Sequence, residues 1–305
     1  MKKVVAIIIS MILIAIVGCG NSQSSSAPTE TNDTTIAAAP TTTEAVTVDV
    51  TPIPLSGDDL FLQDIAAGLN ARWRISTSPE GADSALAEMS VSEYQRFTTS
   101  CVNAECSILT DINRYNFTDT ALAKLAETYF KALALQKEGI PYLRYTYDAT
   151  HLSDYNTALK TYILGNNYRT VVLYNLYMAY NLTVDPEYQE IYDDFLASYP
   201  SAQKSIALAE YAAYLEENLE YSFDSEKSTK HTTYYTAIVE NTTAYEINTM
   251  SIQVSFLDKD GVIVYQGFDN INNLKPGAKY RSSVYAGNNP VASAECSVTI
   301  YSNLN

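Results

Sequence analysis

The chain has 305 residues, of which 47% are apolar and 18% charged. That is enough for two ordinary domains with real cores, and too apolar for disorder throughout. The formal charge of −16 sets up a field that repels nucleic acid and anionic lipid headgroups, so it argues against nucleic-acid binding and against a basic membrane-binding face.

The first stretch decides how the rest must be read. Lys2 and Lys3 give a short basic start, and Val4 to Val17 form an apolar run broken only by Ser10. This run falls short of the ~20 residues a membrane span needs and fits the h-region of a secretory signal peptide. It closes on Ile16-Val17-Gly18-Cys19, which resembles the lipobox of bacterial lipoproteins. The resemblance implies that residues 1–18 are a signal peptide and that Cys19 takes a diacylglycerol thioether and becomes the mature N-terminus. Two acyl chains anchor stably where one anchors marginally. The implied location is the cell membrane, lipid-anchored, on its extracytoplasmic face. Removing Lys2 and Lys3 with the leader leaves 17 basic against 35 acidic residues, a net −18.

Residues 20–55 are rich in Ser, Thr, Ala, Pro and Asn, with almost no large apolar side chain before Val46. Such a composition cannot bury enough surface to offset ordering entropy. Residues 19–55 therefore read as a lipidated cysteine plus a disordered tether, with an r.m.s. span of ~30–36 Å and an extended reach of roughly 120 Å.

From Ser56 the pattern turns helical. Ser56 and Asp59 suit an N-cap, and Leu62, Ile65, Leu69 and Trp73 fall on one helix face. Pro79-Glu80-Gly81 breaks the pattern, and Ser90-Val91-Ser92-Glu93 reads as a capping box. Thr118 is the expected cap of a helix striped by Leu122, Leu125, Tyr129, Leu133 and Gln136 and ended by Gly139 and Pro141. Residues 142–182 read as one or two helices jointed at Gly165-Asn166-Asn167, with Val171 to Tyr180 apolar nearly all round and so central to a bundle. Asp185-Pro186 opens a helix to about Ser198, and Pro200 separates it from an Ala-rich helix over 201–219. Residues 56–221 thus read as an all-α irregular helical bundle, and they resemble no characterised family.

Residues 222–232 carry charge and no periodicity, and read as a linker. After them the period becomes two. Met250, Ile252, Val254 and Phe256 share one face, as do Ala292, Ala294, Cys296, Val298 and Ile300. Asp258-Lys259-Asp260-Gly261 and Leu274-Lys275-Pro276-Gly277 are turn signals. Five or more short strands at this spacing predict an all-β sandwich over residues 233–305. Within it, Val239-Glu240-Asn241-Thr242, then Ile252 to Gly261, then Leu274-Lys275-Pro276-Gly277 resemble the small FxLYD domain of bacterial surface and secreted proteins. Leu257 stands where that domain has an aromatic before Asp258. The resemblance covers residues 233–302 and implies an immunoglobulin-like sandwich, an extracytoplasmic setting and no enzymatic activity.

With Cys19 assigned to lipid, Cys101, Cys106 and Cys296 remain. Cys101 and Cys106 form a candidate disulfide if Val102-Asn103-Ala104-Glu105 breaks the helix. In one unbroken helix their Cα atoms lie about 8–9 Å apart, beyond the ~7 Å limit for a bridge, and both stay reduced. Histidine offers little chemistry: His151 and His231 are far apart, and Asp148, His151 and Asp154 suit a solvated helix start with Ser153 as cap better than a zinc site. Asp258-x-Asp260-Gly261 lacks the terminal Glu of a calcium loop. No hydrolase elbow, zinc-protease or phosphate-loop motif occurs. No catalytic residue, metal or cofactor is assigned.

Tyrosine is over-represented, with 25 against 8 Phe and 1 Trp. Tyr174, Tyr177 and Tyr180 recur at helical spacing and are candidate binding residues, because tyrosine combines area with a polar tip. The same stripe would also serve as a half-buried bundle rim. The sequence therefore points to a non-enzymatic, lipid-anchored protein that binds or scaffolds an envelope or surface ligand. Its alternatives are a carboxylate-dependent hydrolase of envelope polymers and a solute-binding lipoprotein. The alternation of strands and helices usual in solute-binding proteins is missing.

Overall fold

The computed structural model describes residues 55–145, 150–288 and 290–301. Cys19, the leader and most of the tether lie outside them. A helical region over residues 57–218 precedes an antiparallel β region of two small sheets. Among the described residues no helix is long and apolar enough to cross a membrane.

Helix α1 (Gly57–Ser76) starts where Ser56 Oγ accepts from the Asp59 amide at 3.1 Å, and it buries Phe61, Ile65, Leu69 and Trp73. A short helix α2 (Asp83–Glu88) leads to α3 (Val91–Cys106), opened by a complete Ser90–Glu93 capping box. Helix α3 runs unbroken through both of its cysteines, and Cys101, Cys106 and Cys296 are free thiols. The expected break at 102–105 does not form, because Val102 and Glu105 are both buried on the inner face and hold that turn in place.

Helix α4 (Thr120–Gly139) is capped by Asp119, not Thr118. Asp119 Oδ1 accepts from the amides of Ala121 and Leu122, while the Thr118 hydroxyl donates to Asp58 on α1. Gly139 does not end this helix through a left-handed conformation; its φ is −81°. It is there for clearance, since a Cβ would lie 2.4 Å from the Tyr162 backbone nitrogen. Helix α5 (Leu152–Ala158) passes through a π-helical turn (Leu159–Ile163) straight into α6 (Leu164–Tyr180). No joint forms at 165–167. Gly165 is another point of close approach, where a Cβ would meet the Ala132 carbonyl oxygen at 2.6 Å. His151, not Ser153, occupies the N-cap of α5, and Asp148 lies outside the described residues.

Helix α6 is central but not buried all round: Val172, Leu173 and Leu176 are covered, whereas Tyr177 and Met178 are exposed. Its inner face joins α1, α4 and the following α7 (Gln189–Ala197) in one core with Trp73, Tyr129 and Tyr192. Pro200 sits in the first turn of the last helix, α8 (Tyr199–Asn218), where its missing N–H costs nothing.

Helix α8 has its inner face in the second core. Leu208, Tyr211, Ala212 and Leu215 pack with Val239, Ile252, Val254, Phe256 and Val298. Strands β1 (Ser222–Phe223), β2 (Tyr234–Glu240) and β5 (Lys279–Tyr285) form one antiparallel sheet, in the order β1-β2-β5. Strands β3 (Ile247–Leu257), β4 (Ile263–Leu274) and β6 (Ser293–Tyr301) form the other, in the order β4-β3-β6. The expected linker 222–232 thus contributes its first two residues to a sheet, pairing Ser222 with Thr236. Asn241 is fully buried where the β2–β3 and β4–β5 connections meet. Its Nδ2 donates to the carbonyls of Tyr245 and Leu274, both at 2.8 Å.

Candidate functional site

The three candidate tyrosines of α6 are held by three different elements. Tyr174 stacks on Tyr199 of α8 with centroids 3.8 Å apart, and Tyr177 meets Tyr192 of α7 edge-on at 6.0 Å. The Tyr180 hydroxyl donates to Asp119 Oδ2 at 2.8 Å, at the start of α4. That bond holds the Asp119 carboxyl below its usual range, and burial together with the same carboxylate raises the Tyr180 phenol. Steps of three residues rotate the rings around the helix axis, so each one reaches a different neighbour.

The strongest electrostatics lie inside the bundle. Glu105 is fully buried and accepts from Arg72 Nη1 at 2.9 Å, Arg169 Nε at 3.0 Å and the Tyr129 hydroxyl. Gln136 Oε1 accepts a further bond from Arg72 Nη1 at 2.9 Å, and its Nε2 donates to Asn166 Oδ1 at 3.2 Å. Burial opposes ionisation of Glu105, but the two guanidinium groups outweigh it and hold the carboxyl below the ordinary glutamate range. Glu105 is the one carboxylate among the fully buried described residues. Two arginines and a tyrosine engage it, so the cluster binds α1, α3, α4 and α6 together. Cys101 lies beside it, its thiol pushed up to about 11 by burial.

A shallow open cleft of about 430 Å³ is lined by Ile75, Phe97, Arg96, Glu80 and Glu93, among others. Glu93 is already engaged: its Oε2 accepts from the Ser90 amide and hydroxyl at 2.8 and 2.6 Å, and these bonds lower its pKa. An ionised, exposed capping group is the opposite of the desolvated acid that glycoside hydrolysis uses. In the β3–β4 turn, Asp258 Oδ1 accepts from the amides of Asp260 and Val262, at 2.9 and 3.0 Å, with Gly261 at φ +77°. The turn reading accounts for this Asp-x-Asp-Gly.

The outer face of the β4-β3-β6 sheet carries mostly uncharged polar side chains. The inner face is set by Met250, Ile252, Val254 and Phe256, so the alternate residues of β3 point outward: Thr249, Ser251, Gln253 and Ser255. Their partners on β4 are Asn272, Asn270, Phe268 and Gln266, and on β6 Tyr301, Thr299, Ser297 and Glu295. Glu295 is the single charge among these positions. Phe268 stands opposite Gln253 and is 73% exposed, the most exposed large apolar side chain of the described residues. Asp269, next in sequence, turns inward toward the Ser283 amide and the Tyr280 hydroxyl.

The apolar alternation of β3 was evident in the sequence, and its complement was the missed signal: every intervening position carries a hydroxyl or an amide. The buried ion cluster had a signal too. Arg72, Glu105 and Arg169 each fall on the apolar stripe of their helix, which is where charge needs a partner.

No family model matches the chain, and neither a curated protein nor a solved structure matches it.

Proposed function

We propose that the chain is a lipid-anchored, extracytoplasmic binding protein of a bacterial envelope, without catalytic activity. The observation that carries the binding role is the open, nearly uncharged outer face of the β4-β3-β6 sheet in a chain of net charge −16. The inner side of this sheet is taken up by the core it shares with Val239, Val284 and α8, which leaves the outer side for recognition. The lipobox-like Ile16-Val17-Gly18-Cys19 supports the anchor, and the long Ser/Thr-rich stretch after it supports a role held away from the membrane. The two facing sheets and the buried Asn241 support the finer reading of residues 233–302 as an FxLYD-like domain with an immunoglobulin-like sandwich. The hydrolase alternative is weaker, because the buried carboxylate is Glu105 and two arginines neutralise it.

The anchor is tested by growing cells with an alkyne fatty acid and comparing wild type with Cys19→Ala. Label that depends on Cys19, with release of the variant from the membrane fraction, supports it; unlabelled wild-type protein overturns it. The binding role is tested by photo-crosslinking on intact cells from a probe at Gln253 against one at Tyr177. Adducts to an envelope component from Gln253 support the sheet face, and adducts from Tyr177 alone move recognition to the helices.

A further inference from the structure

We propose that the outer face of the β4-β3-β6 sheet binds an uncharged polysaccharide, with Phe268 as the ring on which a sugar stacks. This deepens the binding role proposed above and rests on it.

Four outward positions along β3 cover ~20 Å, and three strands cover ~10 Å across, from ordinary strand rise and spacing. That footprint is long and narrow, and it suits several consecutive units of an extended chain. Its chemistry is of two kinds. Phe268 offers a bare aromatic face, whose negative quadrupole attracts the polarised C–H groups on the flat side of a pyranose. Around it Gln253, Gln266 and Asn270 supply both donors and acceptors, as hydroxyl groups of a sugar require.

A protein partner fits this face poorly. Interface hot spots cluster several aromatic and aliphatic anchors in desolvated pockets, and here the apolar side chains are spread out: Phe268 midway along the edge strand β4, Ile263 at its start and Tyr301 at the far end of β6. A charged polymer fits poorly as well. An anionic chain finds no cation among the outward positions and meets the field of a −16 protein. A cationic one finds Glu295 at the end of the face and, at its β6 edge, Glu216, which Lys160 already neutralises.

The flat register also matters. Thr249 Oγ1 donates to Asn272 Oδ1 at 3.3 Å, and Gln266 Nε2 donates to Ser255 Oγ at 2.9 Å. These cross-strand bonds fix the polar side chains before a ligand arrives, which lowers the entropy lost on binding.

The test is affinity electrophoresis and calorimetry of the full chain in detergent micelles, against dextran, soluble mannan, cellohexaose and chitohexaose, with heparin as the charged control. The expected result is retardation by at least one neutral glycan and none by heparin. Phe268→Ala then weakens binding at least tenfold, Phe268→Trp retains it, and Met178→Ala, at an exposed position on α6, leaves it unchanged, with identical circular dichroism in all variants. Phe268 is so exposed that its truncation leaves the fold intact. No binding across the neutral panel, binding to heparin alone, or equal binding by Phe268→Ala overturns the proposal. The Cys19 labelling experiment fails or succeeds independently, so loss of the anchor and loss of glycan binding are separate outcomes.

Discussion

Glu216 Oε1 accepts a hydrogen bond from the Val298 amide at 2.7 Å, so the last turn of α8 closes the free edge of β6. The same oxygen accepts from Lys160 Nζ at 2.6 Å and Ser297 Oγ at 3.2 Å. One carboxylate thus ties the π-helical turn, α8 and the second sheet together. An uncovered strand edge invites pairing with other chains, and here it is blocked from within the chain. Glu216→Ala is expected to cost about 1–2 kcal/mol, since bonds to a charged acceptor exceed neutral ones but the lysine pair is partly exposed. Hydrogen exchange followed by NMR checks the local effect: the Val298 amide should exchange faster, while that of Val254 on central β3 changes little.

Glu105 gives the pH dependence. Its folded pKa lies below the ordinary value because Arg169 and Arg72 outweigh the burial that opposes ionisation. The unfolded value is about 4.3. A depressed folded pKa contributes stability that is fully present above the unfolded value and is lost as pH falls through the folded one. Urea midpoints should therefore fall below about pH 4. Glu105→Gln should remove this part of the acid slope and cost about 3–5 kcal/mol at neutral pH, because it leaves two guanidinium groups without their counter-charge.

The cysteines should behave as separate thiols. With its pKa pushed to about 11 and the side chain buried, Cys101 should resist iodoacetamide at pH 8 in the native protein. Modification of Cys101, Cys106 and Cys296 after denaturation, without a reductant, is the expected mass-spectrometric result. A Cys101–Cys106 bond would require α3 to unwind between them.

Gly139→Ala probes the closest approach of α4 to the π-helical turn. Its Cβ would stand 2.4 Å from the Tyr162 nitrogen and 2.5 Å from Thr161 Oγ1, so backbone has to move. Overpacking of this kind costs about 1–3 kcal/mol, against the gain Ala usually brings inside a helix. A thermal melt lower than wild type is the expected outcome.

Asn241→Ala should destabilise the second core without touching either sheet face. It removes two donors and leaves the Tyr245 and Leu274 carbonyls without their 2.8 Å bonds. The cost is about 1–3 kcal/mol, read from urea unfolding of the full chain.

Local signals in the sequence determined a good deal. The Ser90–Glu93 capping box, the Ser56 cap, the stripe Ile65-Leu69-Trp73, the Asp258–Gly261 turn and the inward face Met250-Ile252-Val254-Phe256 all form as their spacing requires. Caps, turns and periodic burial depend on neighbours within a few residues, so the order of helices and then strands was legible. Contacts between distant residues decided the rest. Glycine at 139 and 165 reads locally as helix punctuation, yet both serve close packing of helices that meet only in three dimensions. The cysteine pair reads as a candidate bridge until burial of Val102 and Glu105 keeps α3 whole. Helix α8 looks like a bundle helix, but its Leu208-Tyr211-Leu215 face completes the sheet core. The polar face around Phe268 becomes one surface only when β4 and β6 align on β3, because strand register is set by pairing across the chain and not by any strand alone.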